Sequence, residues 1–330
     1  MTVKFREFTG SDADYDLLTT LWNTAWPEIH REPDLYRHDD STRPEDAYFV
    51  RLFIELDGKT VGVGDYMEDW ETAEEDDWFY LLAILPSVDF ATVAAPFVDR
   101  MMADARRRGR ILQAGTIAIE DRLSHRAFFE SLGYKLAMRE PRSELNVDQF
   151  DFSKYLDLPA KMEAEKIEIA CLTDLQDRFP DWQRRIYELD WEISKDVPST
   201  VEFKKMPFDE FADAVFKSPR HLPEANFYAL DGDEWVGASI LKQVLGKDDE
   251  LSVGITGILP SHRRRGIATA LKLKTIEYAK ANGVKTIKTD NEENNPMYTL
   301  NLKLGFEAKP AFLIFEQKFE EAATVEVDHG

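Results

Sequence analysis

Apolar positions along the chain gather into short runs closed by turn residues, and the runs occur twice in the same order. Leu56-Asp57-Gly58 and Leu230-Asp231-Gly232 each sit between apolar stretches, followed by Thr60-Val61-Gly62-Val63 and Trp235-Val236-Gly237-Ala238. A polar, Gly-containing turn between such stretches predicts a hairpin. Leu85-Pro86-Ser87 and Leu259-Pro260-Ser261 come next, 174 residues apart, and Gly109 and Gly283 keep that offset across a whole helix. The second of these helices is expected from about Ile267 to Asn282, with Leu271, Ile276 and Ala279 among its apolar positions and Gly283 as its stop. Its counterpart ends at Arg106-Arg107-Arg108-Gly109. A short strand follows each helix (Ile111 to Ile119; Val284 to Thr289), then a further helix closed by Leu132-Gly133-Tyr134 or Leu304-Gly305-Phe306. Spacing held this closely points to a duplicated unit.

Each copy therefore reads strand, helices, hairpin, strand, helix, strand, helix, final strands. The pattern predicts a mixed α/β (α+β) fold of two tandem domains, each a mixed, mostly antiparallel sheet with helices on both faces. The expected division is 1–155 and 156–330, with the charged stretch Leu156 to Lys166 as linker before the strand Ile167-Glu168-Ile169. The tail Glu316 to Gly330 is expected to begin as the last strand and then fray. A chain of 330 residues, 43% hydrophobic, is long enough for two such cores.

Charge narrows the partners. The chain carries 41 basic against 63 acidic side chains, net −22, which disfavours a hold on a nucleic-acid backbone and suits a cationic partner. The single cysteine, Cys171, excludes an internal disulfide, and the six histidines lack a paired ligand spacing, so no metal is expected. His262 reads as a solvent-facing turn residue. The most apolar stretch, Tyr80 to Val98, is interrupted by Pro86, Asp89 and Pro96, which argues against a membrane span. Met1 to Glu7 lacks the apolar core of a secretory signal, and the expected compartment is the cytoplasm.

Candidate chemistry begins where the strand Leu251 to Leu259 runs through Pro260 into Arg263-Arg264-Arg265-Gly266-Ile267-Ala268 and a helix. Amides at a helix start have no intrahelical acceptor and carry the positive end of the dipole, so a pyrophosphate can take several at once. Gly266 allows close approach, Ala268 and Thr269 keep the first turn uncrowded, and the arginines add charge. This loop resembles the motif of the GNAT superfamily of acyl-CoA N-acyltransferases, Arg/Gln-x-x-Gly-x-Gly/Ala after a strand. The resemblance extends to Asn294 and to Gly305-Phe306, which stand where the family has an Asn after its fifth strand and a Gly-Phe ending the next helix. It implies acetyl-CoA or another acyl-CoA in a cleft between two splayed strands, with the backbone of Thr256, Gly257 and Ile258 pairing with pantetheine. The repeat resembles tandem members of the superfamily, the mycothiol synthases among them, in which a degraded copy accompanies a working one. What carries over is the architecture, not that substrate.

The first copy reads as silent. Asp89 stands opposite Arg263 and Thr92 opposite Gly266. A carboxylate about 6 Å from a phosphate charge costs about 3 kcal/mol at effective ε near 20, more than the roughly 0.3–2 kcal/mol a helix terminus returns. Asp89 is expected to cap its helix instead. The acidic run Asp65 to Asp77 around Trp70 is expected as a solvated loop, or as an edge admitting a cationic substrate.

Freeing the lone pair of an alkylammonium of pKa about 10.4 costs roughly 4 to 5 kcal/mol at neutral pH, so a base is required. Glu250 and Asp290 are the candidates, and by the period of two Glu250 shares a face with Ser252, Gly254 and Thr256. The resemblance implies a tyrosine seven residues after the motif Asn to protonate the departing thiolate. Asn301 holds that place here and Phe129 in the first copy; Tyr298, a turn earlier, is the alternative donor. The expected activity is acetyl transfer from acetyl-CoA to a small amine or peptide amine, by direct attack in the second domain, in a monomer or homodimer. Acceptor contacts are expected from Asp196 to Glu224, including Phe203, Phe208, Phe211 and His221, and from Trp22 and Trp26. The alternative is an acyl-CoA-binding sensor or scaffold without turnover.

Overall fold

The computed structural model describes residues 1–69, 77–109 and 111–319. The first half runs β1 (Val3–Glu7), α1 (Asp12–Ala25), α2 (Pro33–Ser41), β2 (Phe49–Leu56), β3 (Lys59–Glu68), β4 (Asp77–Ile84), α3 (Phe90–Arg108), β5 (Gln113–Ile119), α4 (Leu123–Ser131) and β6 (Lys135–Asn146). The second runs α5 (Leu158–Ala164), β7 (Ile167–Cys171), α6 (Leu172–Arg178), α7 (Trp182–Ser194), α8 (Phe208–Phe216), β8 (Asn226–Asp231), β9 (Glu234–Gln243), β10 (Glu250–Ile258), α9 (Ile267–Ala281), β11 (Thr286–Asp290), α10 (Pro296–Lys303) and β12 (Glu307–Lys318). The repeated order is the one the sequence predicts, down to the Gly109 and Gly283 helix stops. At the first hairpin both Asp57 and Gly58 take positive φ (49° and 82°), the turn whose twist suits flanking antiparallel strands.

The twelve strands of the described residues form one sheet in the order β1-β2-β3-β4-β5-β12-β6-β11-β10-β9-β8-β7. Neighbours are antiparallel except β4/β5 and β10/β11. The last strands of the halves are exchanged. β6 pairs with β11 (Thr286 opposite Asn146), and β12 pairs with β5 (Phe312 opposite Ile119). β6 and β12 also pair with each other and join the halves at the centre.

Helices cover both faces of each half, because each strand alternates two apolar sides. In the first half, Val93, Phe97 and Met101 of α3 pack on Tyr66, Trp78 and Tyr80, and Leu18, Leu21 and Trp22 of α1 pack on Phe53 and Val63. In the second, Leu271 and Ile276 of α9 cover one side, and Ile186, Leu189 and Ile193 of α7 cover Tyr228 and Trp235 on the other. The stretch expected as a linker is not extended chain. It forms α5, whose Leu158 and Met162 lie one turn apart and join the α9-side core. No described helix is long and apolar enough to cross a membrane. Much of the acidic run, Trp70 to Asp76, and the tail from Glu320 lie outside the described residues.

Candidate active site

β10 is paired along its length with β9, but with β11 only from Glu250 (opposite Thr286) to Ser252 (opposite Lys288). From Val253 to Ile258 its other edge is open, so backbone polar groups there have no strand to meet. The strand also carries a bulge. Val253 faces Leu241 and Thr256 faces Ser239, so Gly254 and Ile255 together oppose Ile240. The extra residue turns the strand over. Leu251, Val253 and Ile258 belong to the α9-side core, whereas Ile255 packs on the α7 side. Thr256 therefore does not share a face with Glu250, Ser252 and Gly254 as the period of two predicts. Its Oγ1 lies 2.9 Å from Ser239 Oγ. Gly257 is required where α7 crosses, since a Cβ there would stand 2.8 Å from Ile193 Cβ.

The strand ends in a short 3-10 turn (Pro260–His262) and the arginine loop. Arg264 takes φ 61°, and Gly266 caps α9 in the left-handed region at φ 89°. The first helical bond of α9 runs from Ala270 N–H to the Gly266 carbonyl, 3.0 Å, leaving the amides of Ile267, Ala268 and Thr269 without an intrahelical acceptor. Two of the three guanidiniums brace the loop rather than face outward. Arg263 donates to the Ile258 carbonyl (3.0 Å) and pairs with Asp196; Arg265 donates to the carboxylate and carbonyl of Glu165 on the α5 side (2.8 and 2.9 Å). Arg264 is exposed. His262 is not solvent-facing: its side chain is 11% exposed and bridges Ser261 Oγ and Asp231 Oδ2. Past β11, Asn294 bonds to Glu292, and the cap of α10 is its neighbour Asn295, which accepts from Met297 N–H.

The same two features recur in the first half, and there both are filled from within. Asp89 caps α3 and accepts from Thr92 N–H (2.8 Å) and Oγ1 (2.7 Å), which holds its carboxyl below the usual range. β4 pairs with β5 only from Asp77 to Tyr80, so these strands also part company. The buried Trp26 enters there, and its Nε1 donates to the Leu82 carbonyl at 2.9 Å. Leu82 is the counterpart of Thr256 at the repeat offset of 174. Phe90, in the first turn of α3, stacks on His125 at 3.7 Å.

Two cavities are lined in common by Gly254 of the bulge and by Arg31. The larger, about 1030 Å³, lies between the halves and is lined by Tyr36, Asp65, Tyr187, Asp190 and Trp191 among others. Trp22, Phe203 and Phe211 line it as the sequence suggests. Phe208 packs on Tyr187 and His221 on Phe216, while Trp26 belongs to the first half's core. The smaller, about 310 Å³, contains Asp290, Ser252, Arg220 and Lys242.

Of the base candidates, Glu250 is held by Lys288 Nζ at 2.5 Å. Asp290 lines the smaller cavity and is exposed there; crowding by the surrounding protein raises its pKa, against the pull of Arg142. Asp190 escaped sequence reasoning. On α7, one turn before Ile193, it faces the larger cavity with no described cation in ion-pair contact; burial raises its pKa and the charge of Lys242 opposes. Its one signal in the sequence is a carboxylate set among Ile186, Tyr187, Leu189 and Trp191. Glu140 on β6 is a further missed group, pushed up to about 7 by burial and by Asp290 and Glu292. Asn301 is 1% exposed and gives its amide to Asn291 Oδ1 (2.7 Å). Neither Asn301 nor the half-buried Tyr298 lines either cavity.

Residues 182–306 match the sequence model of the Acetyltransferase (GNAT) family. N-alpha-acetyltransferase 30 of Schizosaccharomyces pombe is 32% identical over 87 residues, 26% of this chain; the match spans 58% of that protein. In fold, the whole chain is similar to a tandem GNAT protein from the clavulanic acid biosynthesis pathway (TM-score 0.71, 15% identity, 96% of this chain and 98% of that one). It is also similar to a GCN5-related N-acetyltransferase from Sphaerobacter thermophilus (TM-score 0.67, 17% identity, 96% and 95%).

Proposed function

We propose that this chain, whose residues 182–306 match the sequence model of the Acetyltransferase (GNAT) family, moves an acyl group, acetyl in the first instance, from an acyl-CoA to a primary amine by direct attack. The observation that carries this reading is the open edge of β10 from Val253 to Ile258, which runs into a helix start with free amides. Thr256, Gly257 and Ile258 would pair with the pantetheine arm, and the amides of Gly266 to Thr269, with Arg264 beside them, would take the pyrophosphate. The coenzyme supplies an activated thioester. The strand bulge keeps an amide at Gly254 or Ile255 out of the regular ladder, free to accept negative charge developing on an acyl oxygen.

In this reading Asp190 anchors the acceptor ammonium and takes its proton. Asp290 stands at the second cavity as a relay, and the pairing of Glu250 with Lys288 takes it out of that role. Tyr298 is the proposed proton donor to the leaving sulfur, while Asn301 holds the turn carrying Asn291. The division at 155/156 assigns the reaction to the second unit. Residues 1–155 bind no coenzyme, because Trp26 and Asp89 already occupy the groups a ligand would need.

The test is to incubate the purified chain with acetyl-CoA and a panel of amines and follow free thiol. Amine-dependent release is expected. Tight coenzyme binding with no release across the panel would make the chain a sensor or scaffold instead.

A further inference from the structure

Resting on the acyl-transfer reading, we propose that the acceptor amine also carries an anionic group, a carboxylate or phosphate, and that Lys242 and Arg220 hold it in the smaller cavity. In a chain of net −22 this cavity is an exception. Several of its charges are already committed: Arg31 to Asp39, Lys288 to Glu250, Glu28 to Arg122, and Glu144 to Lys309. Arg142, Arg220 and Lys242 remain, and among the described residues none has a carboxylate in ion-pair contact. Asp290 is the one acid left to face three cations.

These cations are fixed on neutral acceptors. Arg220 donates to the Gln243 carbonyl (3.0 Å) and Ser252 Oγ (2.6 Å), and Arg142 to the Pro310 carbonyl (2.7 Å). Lys242 has no described hydrogen-bond partner. Its stem lies across the bulge, where a Cβ on Gly254 would stand 2.7 Å from Lys242 Cε. Burial depresses the pKa of both Arg220 and Lys242, helped by the charge of Arg31 at Arg220 and of Arg220 at Lys242, against the pull of Asp39 on each and of Asp190 on Lys242. Two half-buried like charges side by side with no carboxylate in ion-pair contact cost stability, and Asp39 and Asp190 offset this only from a distance. An acidic protein that pairs neither of them directly presents them to a ligand. Gly254 and Arg31 line both cavities, so an amine at Asp190 and an anion at Lys242 lie on neighbouring sides of the bulge, within the span we assign to one small molecule. The class is a short aminoalkyl carboxylate or phosphate, amino acids included.

Matched pairs decide it: glycine against methylamine, β-alanine against ethylamine, and aminoethyl phosphate against ethylamine. Thiol release from acetyl-CoA is measured for each, and binding of each by calorimetry with coenzyme A present. A charge-assisted contact predicts a kcat/KM about ten- to a hundredfold higher for the anionic member, with carboxylate and phosphate arms ranked by the same assay. Lys242→Met should collapse that ratio towards one. Equal kcat/KM within the wild-type pairs overturns the proposal whether or not the variant folds. So does a Lys242→Met loss that falls on both members alike, which would place Lys242 at the acyl oxygen. If no amine releases thiol but β-alanine binds in a Lys242-dependent way, the anion site stands and the transfer reading fails. If no anionic member binds or reacts in preference to its plain amine, the anion site fails.

Discussion

Asp190→Asn removes one charge and one proton acceptor while keeping the side chain's size, so its effect isolates the role of the carboxylate. Asp190 faces the cavity between the halves without a described cation partner, and burial has raised its pKa towards that of a useful base. An alkylammonium about 4 Å away gains about 4 kcal/mol at effective ε near 20, from which the nearby Lys242 charge subtracts. That attraction binds the acceptor as its ammonium, and the roughly 4 to 5 kcal/mol needed to free an amine of pKa about 10.4 in neutral solution falls to the base that takes its proton. A positioned base contributes about 10²- to 10⁴-fold, and kcat/KM of Asp190→Asn at neutral pH should fall by that much. The deficit should shrink about tenfold per pH unit as the amine deprotonates in solution. Steady-state thiol release between neutral and alkaline pH, at saturating acetyl-CoA, measures both. Activity within about threefold of wild type at every pH, with Asp290→Asn showing the loss instead, would refute the assignment.

Lys272 of α9 is 2% exposed beneath the Phe306 ring, and burial lowers its pKa to about 7. Between pH 7 and 10.5 the unfolded chain holds a proton the folded chain has released, so wild-type stability rises with pH there. Lys272→Met should stabilise by at most about 4–5 kcal/mol at or below pH 7, with the gain fading towards pH 10.5; urea melts at neutral and alkaline pH that show equal gains would contradict this. The Glu140 carboxyl, raised to about 7, is protonated when folded but ionised when unfolded between pH 4.5 and 7, so wild-type stability falls as pH rises through that window. Glu140→Gln should gain about 1–2 kcal/mol above pH 7, after solvent screening, and nothing below pH 4.5, by denaturant titration. Gly257→Val should cost about 1–3 kcal/mol and raise KM for the amine, because Ile193 must yield at 2.8 Å and carries α7 and Asp190 with it. An unchanged KM would show that α7 does not position the acceptor.

The duplicated order of elements was legible because hairpin turns, Gly stops and apolar periods are local. The arginine loop was legible because its chemistry lies in six consecutive residues. The exchange of β6 and β12 was not, since their alternation suits any antiparallel neighbour. The bulge at Gly254-Ile255 was hidden for a related reason: it is defined by the partner strand, and it reverses the face of Thr256. Leu158 and Met162 are a helical pair inside a charged stretch, outweighed by their neighbours until α9 is there to bury them. The acceptor side is scattered over α2, β3, α7 and β9, so nothing local in the sequence sets Asp190 or Lys242 apart from the chain's many other charges. The second copy's arginines stood out as phosphate ligands, yet two of them serve Asp196 and Glu165.

The proposed function requires one coenzyme site per chain, in the second half, since Trp26 and Asp89 bond to the counterpart groups in the first. Calorimetric titration of the full chain with coenzyme A measures this directly. A stoichiometry near one, lost when Gly266→Val forces a branched side chain into the left-handed cap, is the expected result. A stoichiometry near two, or binding at one site that survives Gly266→Val, would contradict it.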